Sequence, residues 1–158
     1  MENHGHDLDT HVTRLNCLCR ICGNRSRSPK EMQKNKTPSL CTTYQDSILI
    51  FCQMDISNDI HVKHSKTVCS RCAINIRLLR TSDRHRERLV KKTVNLLSLS
   101  KHLWTAYDST SSNQCASCEH YLQQSLKHPS NRRRTQDGVP SSNKRLSQDQ
   151  APSLWVIV

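Results

Sequence analysis

Three pairs of cysteines, each with two residues between its members, are the residues of this chain best suited to chemistry. They are Cys19 with Cys22, Cys69 with Cys72, and Cys115 with Cys118. A Cys-x-x-Cys turn directs both sulfurs at one point, and four thiolates from two such turns form the closed tetrahedral site of a structural zinc ion. Gly23 follows the first pair, where a tight turn often requires a positive φ. The first two pairs therefore predict one zinc site, with the ligands Cys19, Cys22, Cys69 and Cys72.

The composition favours a fold that depends on metal. Only 34% of the 158 residues are hydrophobic, whereas globular domains usually have about 45–50%. So few apolar side chains bury too little surface to offset the entropy lost when the chain becomes ordered. A structural zinc ion can supply the deficit, because its apparent binding free energy in small fingers is about 10–16 kcal/mol. We therefore expect zinc as cofactor and as a condition for folding.

The nine cysteines could instead form disulfides. Their odd number and the polar segment 1–9, which lacks the apolar run of a signal peptide, favour metal ligands in a reducing compartment. No apolar run approaches the roughly 20 residues that a membrane span needs. We therefore expect a protein of the cytosol or nucleus that has no membrane partner.

The charge favours the nucleus. The chain has 24 Lys and Arg against 13 Asp and Glu, a formal net charge of +11. The basic residues concentrate in three clusters, 20–36, 77–92 and 127–145, each with a net charge of about +5. Such clusters attract polyanions, either nucleic acid or an acidic groove of a protein. A solvated basic surface without a partner is the alternative.

Apolar spacing predicts two helices next to the cysteines. Thr42 or Thr43 should cap a first helix that ends near Cys52. Its buried face should carry Tyr44, Ile48 and Phe51.

The second helix should open at the pair Cys69 and Cys72. Its apolar stripe should consist of Ile74, Leu78 and Leu79. The helix either breaks at residues 81–83, where a new cap is available, or continues to Leu99 with a strongly basic second half.

The predicted fold is a small α-rich domain stabilised by zinc, with a treble-clef-like knuckle plus helices, between disordered basic tails. The predicted segments, in chain order, are a disordered start (1–14), a zinc module with four cysteine ligands (15–80), a basic helix (81–100), a second zinc module (101–128) and a disordered basic tail (129–158).

The order of these features resembles the N-terminal, non-catalytic region of the larger V(D)J recombination-activating protein and its transposon-encoded relatives. The matching features are the knuckle at 18–24, the stretch from Tyr44-Gln45-Asp46 to Met54-Asp55-Ile56, His64 five residues before Cys69, and Trp104 followed by the third cysteine pair. The resemblance covers about residues 15–135. The first module alone also resembles the zinc-finger-associated dimerisation domain of insect transcription factors.

The chain departs from that family at two places. Ala73 directly follows the second cysteine pair, where the family tends to place an aromatic residue. Near the third pair, Trp104-Thr105-Ala106-Tyr107 stands where the family has a W-H-x-H arrangement. We therefore expect a weaker second zinc site at Cys115 and Cys118, completed by His120 or His128.

The resemblance implies an accessory zinc-binding region of a recombinase or transposase and not an enzyme. Recombinase chemistry requires three separated acidic residues that hold divalent metal in a nuclease fold longer than this chain. The implied partners are nuclear proteins and DNA, which is contacted non-specifically through backbone phosphates. The predicted contacts are Arg84, Arg86, Arg88, Lys91 and Lys92. Four of them, Arg86 excepted, would share one face of a continuous helix.

Two other functions compete with this hypothesis. One is a zinc-dependent dimerisation or adaptor module, a homodimer or a companion of a recombinase, that does not bind nucleic acid. The other is a truncated relic of a mobile element. The apolar end at 153–158 is compatible with a frameshift or intron read-through, or with a ligand for a PDZ-type groove.

The tail predicts a nuclear import signal that an import receptor would bind. It has two basic clusters nine residues apart, Arg132, Arg133 and Arg134, then Lys144 and Arg145. A solubilising basic tail is the alternative interpretation. The family's N-terminal region is associated with import receptors, which favours the signal.

Overall fold

The computed structural model describes residues 7–105, 107 and 115–127 and is rich in helices. The helices are α1 Leu8–Leu15, α2 Pro29–Gln33, α3 Gln45–Cys52, α4 Ser70–Thr81, α5 Arg86–Ser100 and α6 Ala116–Lys127. Strands β1 (Ser39–Leu40) and β2 (Thr67–Val68) pair antiparallel, with Ser39 opposite Val68. Within this part of the chain, no helix combines the length and apolarity that a membrane crossing requires.

The first knuckle is a tight turn that closes on itself. The N–H of Gly23 donates to the carbonyl of Cys19 at 2.8 Å, and the N–H of Cys19 donates to the carbonyl of Asn24 at 2.6 Å. Gly23 has a φ of 71°, and a Cβ at this position would lie 2.5 Å from Cδ1 of Leu103. The predicted positive φ at Gly23 is confirmed, and the close approach of Leu103 is a second reason for glycine.

The segment before α4 is bonded to the first knuckle. The N–H of Arg20 donates to the carbonyl of Thr67 at 2.8 Å. The hydroxyls of Ser65 and Thr67 donate to the carbonyl of Leu18, at 2.6 and 2.9 Å. Because β2 ends one residue before Cys69, these bonds bring the second cysteine pair beside the first.

Helix α3 ends at Cys52, as the apolar spacing predicts. The predicted cap by Thr42 or Thr43 is wrong, because both residues lie exposed in a 3₁₀ turn, Cys41–Tyr44, that runs into the helix without a side-chain cap. Tyr44 and Ile48 are buried, as predicted, and Phe51 is partly buried against the same core.

Helix α4 presents to the core a face that differs in part from the predicted one. Leu79 is buried, as predicted, and so are Cys72 and Ile76, but Ile74 and Leu78 are 50% and 39% exposed. The physical reason is the cysteine itself. Once Cys72 faces the other sulfurs, the residues four and seven positions later follow it inward.

The sequence left open whether the helix breaks at residues 81–83, and the structure shows that it does. Ser82 leaves helical geometry with φ −124° and ψ 89°, and a 3₁₀ turn, Asp83–His85, precedes α5. Helices α3, α4 and α5 pack on one another around a core that includes Ile48, Ile76 and Leu97.

A second apolar cluster includes Leu18, at the start of the first knuckle. It contains Leu15, Leu18, Leu103 and Trp104, with Tyr121 of α6 packed against it. The cluster joins α1 and α6, which come from opposite ends of the described chain.

The predicted disorder at 1–14 is wrong for residues 8–14, which form most of α1. The carboxylate of Asp7 caps this helix by accepting from the N–H of Thr10 at 2.6 Å. His11 and Leu15, one turn apart, are both buried, so tertiary packing stabilises a helix that is too short to persist alone. The predicted disordered segments at 1–6 and 129–158 lie outside the described residues.

Candidate metal centres

The structure brings the four cysteines of the first two pairs together, and we refer to them below as the four-cysteine group. Their sulfurs lie within 4.8 Å of one another, and Sγ of Cys22 is 3.9 Å from Sγ of Cys69. Tetrahedral zinc with four thiolates would hold sulfurs about 3.8 Å apart. A disulfide would need about 2.05 Å, and all nine cysteines are free thiols. This spacing suits a shared metal ion.

Each pair sits on an element that controls its direction. The knuckle turn presents Cys19 and Cys22, while Cys69 is the N-cap residue of α4 and Cys72 lies in the first turn of that helix. A helix N-terminus favours negative charge, because its first N–H groups have no partners within the helix. The arrangement therefore suits thiolates.

The four thiol groups lie close enough to form hydrogen bonds with one another. Hydrogen bonding to Cys19, then to Cys22 and Cys72, lowers the pKa of Cys69, and hydrogen bonding to Cys19 likewise lowers the pKa of Cys22. Hydrogen bonding raises the pKa of Cys19, chiefly through Cys22, and that of Cys72, chiefly through Cys19. A divalent cation that displaced these protons would satisfy all four sulfurs at once.

A buried ion pair between Arg20 and Asp59 connects the first knuckle to the loop before β2. Arg20 lies between the two cysteines of the first pair and is 7% exposed. Its guanidinium donates to both carboxylate oxygens of Asp59, at 2.6 and 2.9 Å, and lies 5.4 Å from the centre of the Trp104 ring. Arg20 therefore joins the knuckle to the loop before β2 and to the second apolar cluster.

The third pair meets a histidine from α1, more than 100 residues earlier in the chain. Nδ1 of His11 lies 3.1 Å from Sγ of Cys115 and 3.4 Å from Sγ of Cys118. Among the described residues, these three side chains form the second group whose ligand atoms lie within 4.8 Å of one another. Burial, and next the charge of Cys115, raises the pKa of Cys118 to about 12.

The predicted histidine ligands for this pair are not the ones that the structure brings to it. Nε2 of His120 donates to the carbonyl of Gly23 at 3.0 Å, outside the group. His120 follows Cys118 by two positions, and two positions turn about 200° around a helix, so it points away from the sulfurs. Burial lowers the pKa of His120. His128 lies outside the described residues.

His11 is the ligand candidate that sequence reasoning missed. Asp7 as an N-cap, with Leu8, Val12 and Leu15 at helical spacing, signals an amphipathic helix that would bury one face. No local pattern shows that the buried face meets cysteines more than 100 residues away.

His64, which carries part of the family resemblance, lies in neither cysteine group. Its Nδ1 accepts from the N–H of Ile60 at 3.0 Å and lies 3.7 Å from the Asp59 carboxylate. Burial is the main cause of its lowered pKa, which the charge of Asp59 opposes.

The predicted DNA contacts divide into two kinds. Arg84 lies in the 3₁₀ turn before α5, so the predicted continuous helical face that includes it is wrong. Arg86 is half-buried: its Nε donates to the carbonyl of Leu79 at 2.7 Å, and its guanidinium also reaches Asp83 and the ring of Phe51.

The other three predicted contacts lie on one exposed face of α5. Arg88, Lys91 and Lys92 are exposed and stand at i, i+3 and i+4, and Lys91 is paired with Glu87 at 2.8 Å. The predicted import residues, Arg132, Arg133, Arg134, Lys144 and Arg145, lie outside the described residues.

Comparison with known proteins gives a weak and partial likeness. No family model and no solved structure matches the chain. V(D)J recombination-activating protein 1 of Oncorhynchus mykiss is 29% identical over 80 residues, which cover 42% of this chain and 8% of that protein. The chain thus matches a small part of the length of this relative. The likeness to that protein, together with cysteine groups that can hold a metal ion, supports the predicted resemblance in this coarse form.

Proposed function

We propose that the chain is an accessory zinc-binding region of a recombinase- or transposase-like protein, located in the nucleus and without catalytic activity of its own. The four-cysteine group is the observation that carries this proposal. Four sulfur ligands leave no coordination position for a substrate, which is typical of a structural zinc site. The partial likeness to V(D)J recombination-activating protein 1 of Oncorhynchus mykiss supports the recombinase context.

We propose zinc as the metal and a treble-clef-like arrangement around it. A knuckle that supplies one pair, a short antiparallel pairing of β1 with β2, and a helix that begins at the second pair support this arrangement. Tetrahedral sets of sulfur ligands favour zinc over magnesium or calcium, which prefer oxygen.

The proposed DNA-binding surface is the exposed face of α5 formed by Arg88, Lys91 and Lys92. Arg86 is left out, because its guanidinium is engaged within the protein. Contact with phosphates alone would be independent of base sequence.

Replacing Arg88, Lys91 and Lys92 by glutamine should weaken DNA binding and flatten its salt dependence. The logarithm of the association constant falls with log[salt] by about 0.9 for each phosphate contacted, so losing three contacts should reduce the slope by about 2.7. Fluorescence anisotropy with duplex DNA between about 50 and 200 mM salt measures this slope. The charge-matched control replaces Lys30, Lys34 and Lys36, exposed residues in and after α2, and should leave the slope unchanged.

If the anisotropy measured with the unmodified chain and DNA did not depend on the salt concentration, the second candidate function, a protein-binding module, would be favoured. The exposure of Ile74 and Leu78, one turn apart on α4, supports that candidate. Sedimentation equilibrium would then test for self-association. Dimers of the unmodified chain that are lost in Ile74→Arg would assign this exposed face to a dimer interface.

We also propose that the basic tail is read by an import receptor. Residues 127–158 fused to a cargo too large to diffuse through nuclear pores should carry it into the nucleus. Replacement of Arg132, Arg133 and Arg134 by alanine should stop this import. Import that continues after the replacement would show that the tail is not the signal.

A further inference from the structure

We infer that His11, Cys115 and Cys118 are ligands of a second zinc ion, which clasps helix α1 to helix α6. The inference goes beyond the proposed function, because it does not depend on DNA binding or on the recombinase context. It rests on the chemistry and geometry of three side chains.

The orientation of the His11 ring is set by a backbone carbonyl. Nε2 of His11 lies 2.7 Å from the oxygen of Val62, and a carbonyl can only accept, so the proton resides on Nε2. Nδ1 therefore presents its lone pair to the sulfurs of Cys115 and Cys118. Metal-bound histidines usually have this arrangement, in which the second nitrogen donates to a carbonyl or carboxylate that holds the ring in place.

The distances suit ligands drawn around one ion. Tetrahedral zinc would place a thiolate sulfur and an imidazole nitrogen about 3.6 Å apart. The observed separations from Nδ1 of His11 are 3.1 Å to Cys115 and 3.4 Å to Cys118. Small outward shifts of the two sulfurs would bring the three ligands to this separation, with water or a further residue in the fourth tetrahedral position.

Burial adds a reason for a strong ligand. His11 and Cys118 are both 0% exposed. Burying an imidazole and a thiol is costly unless their polar atoms have good partners, and a metal ion satisfies the nitrogen and both sulfurs together. Two thiolates with one imidazole suit a borderline-soft ion, of which zinc is the common one in proteins.

The consequence of this site is long-range. His11 stands 104 residues before Cys115, so one ion would close nearly the whole described chain into a loop. Helix α6 also touches the first knuckle, where His120 donates to Gly23 and Ser125 accepts from Arg25. The clasp would therefore hold α6 against the turn that carries Cys19 and Cys22.

Native mass spectrometry of the full chain at neutral pH tests the site. The unmodified chain should carry two zinc ions, and His11→Asn should carry one. His120→Asn, the matched control on α6, should still carry two. His11→Cys supplies another zinc ligand at the same place and should restore the second ion, which a purely structural role of the imidazole would not do.

The ion that stays in the four-cysteine group shows that each variant is folded, so a misfolded variant is recognised by the loss of both ions. One zinc ion in the unmodified chain would overturn the inference. So would two ions in His11→Asn, or the loss of one ion in His120→Asn. Absorption of the cobalt-substituted chain gives an independent readout, because thiolate-to-cobalt charge transfer should decrease in His11→Asn while the contribution of the four-cysteine group persists.

Discussion

Cys72→Ser is expected to release the zinc ion of the four-cysteine group and to unfold the described part of the protein. Serine is a poor zinc ligand, and Cys72 also forms part of the main core together with Ile76 and Leu79. The apparent free energy of zinc binding in small fingers, about 10–16 kcal/mol, is comparable to the whole stability of a typical domain, about 5–15 kcal/mol. Loss of this term should abolish cooperative folding and not merely lower the melting temperature.

Circular dichroism and metal content, measured on the same samples, check this prediction. Cys52→Ser is the matched control, because Cys52 is half-buried at the end of α3 and belongs to neither cysteine group. It should keep its zinc and its helical signal. A chelated chain that still unfolds cooperatively would contradict a metal-dependent fold.

Arg20→Ala should destabilise the protein strongly while leaving the zinc ligands in place. Removal of one partner from a buried ion pair costs about 3–5 kcal/mol, because the other charge loses its compensation. The Asp59 side chain is 20% exposed, so solvent screens part of this charge, and we expect a cost near the lower end, about 3 kcal/mol. The loss of contact between the guanidinium and the Trp104 ring adds to it.

Urea unfolding of the zinc-loaded protein measures this cost. Adding Asp59→Ala to Arg20→Ala should recover part of the lost stability, since the uncompensated carboxylate is then absent. Lys91→Ala, which removes an exposed ion pair with Glu87, should change little. If Arg20→Ala had the same free energy of unfolding as Lys91→Ala, the buried ion pair would not stabilise the knuckle.

The sequence alone determined the features that depend on short spacing. A Cys-x-x-Cys turn orients two sulfurs with a few backbone dihedrals, so the grouping of Cys19, Cys22, Cys69 and Cys72 could be predicted from pattern and ligand number. The positive φ of Gly23 and the end of α3 at Cys52 are equally local.

Only the tertiary structure decided which distant residues meet and which helix faces are buried. The exposed Ile74 and Leu78 follow from the anchoring of Cys72, and the engaged guanidinium of Arg86 follows from the break after α4. The histidine beside the third pair came from α1, because α1 and α6, the first and last of the described helices, pack on a shared apolar cluster. Spacing specifies what neighbouring residues can do, but contacts between residues far apart in the chain arise from the packing of whole elements, which no local pattern contains.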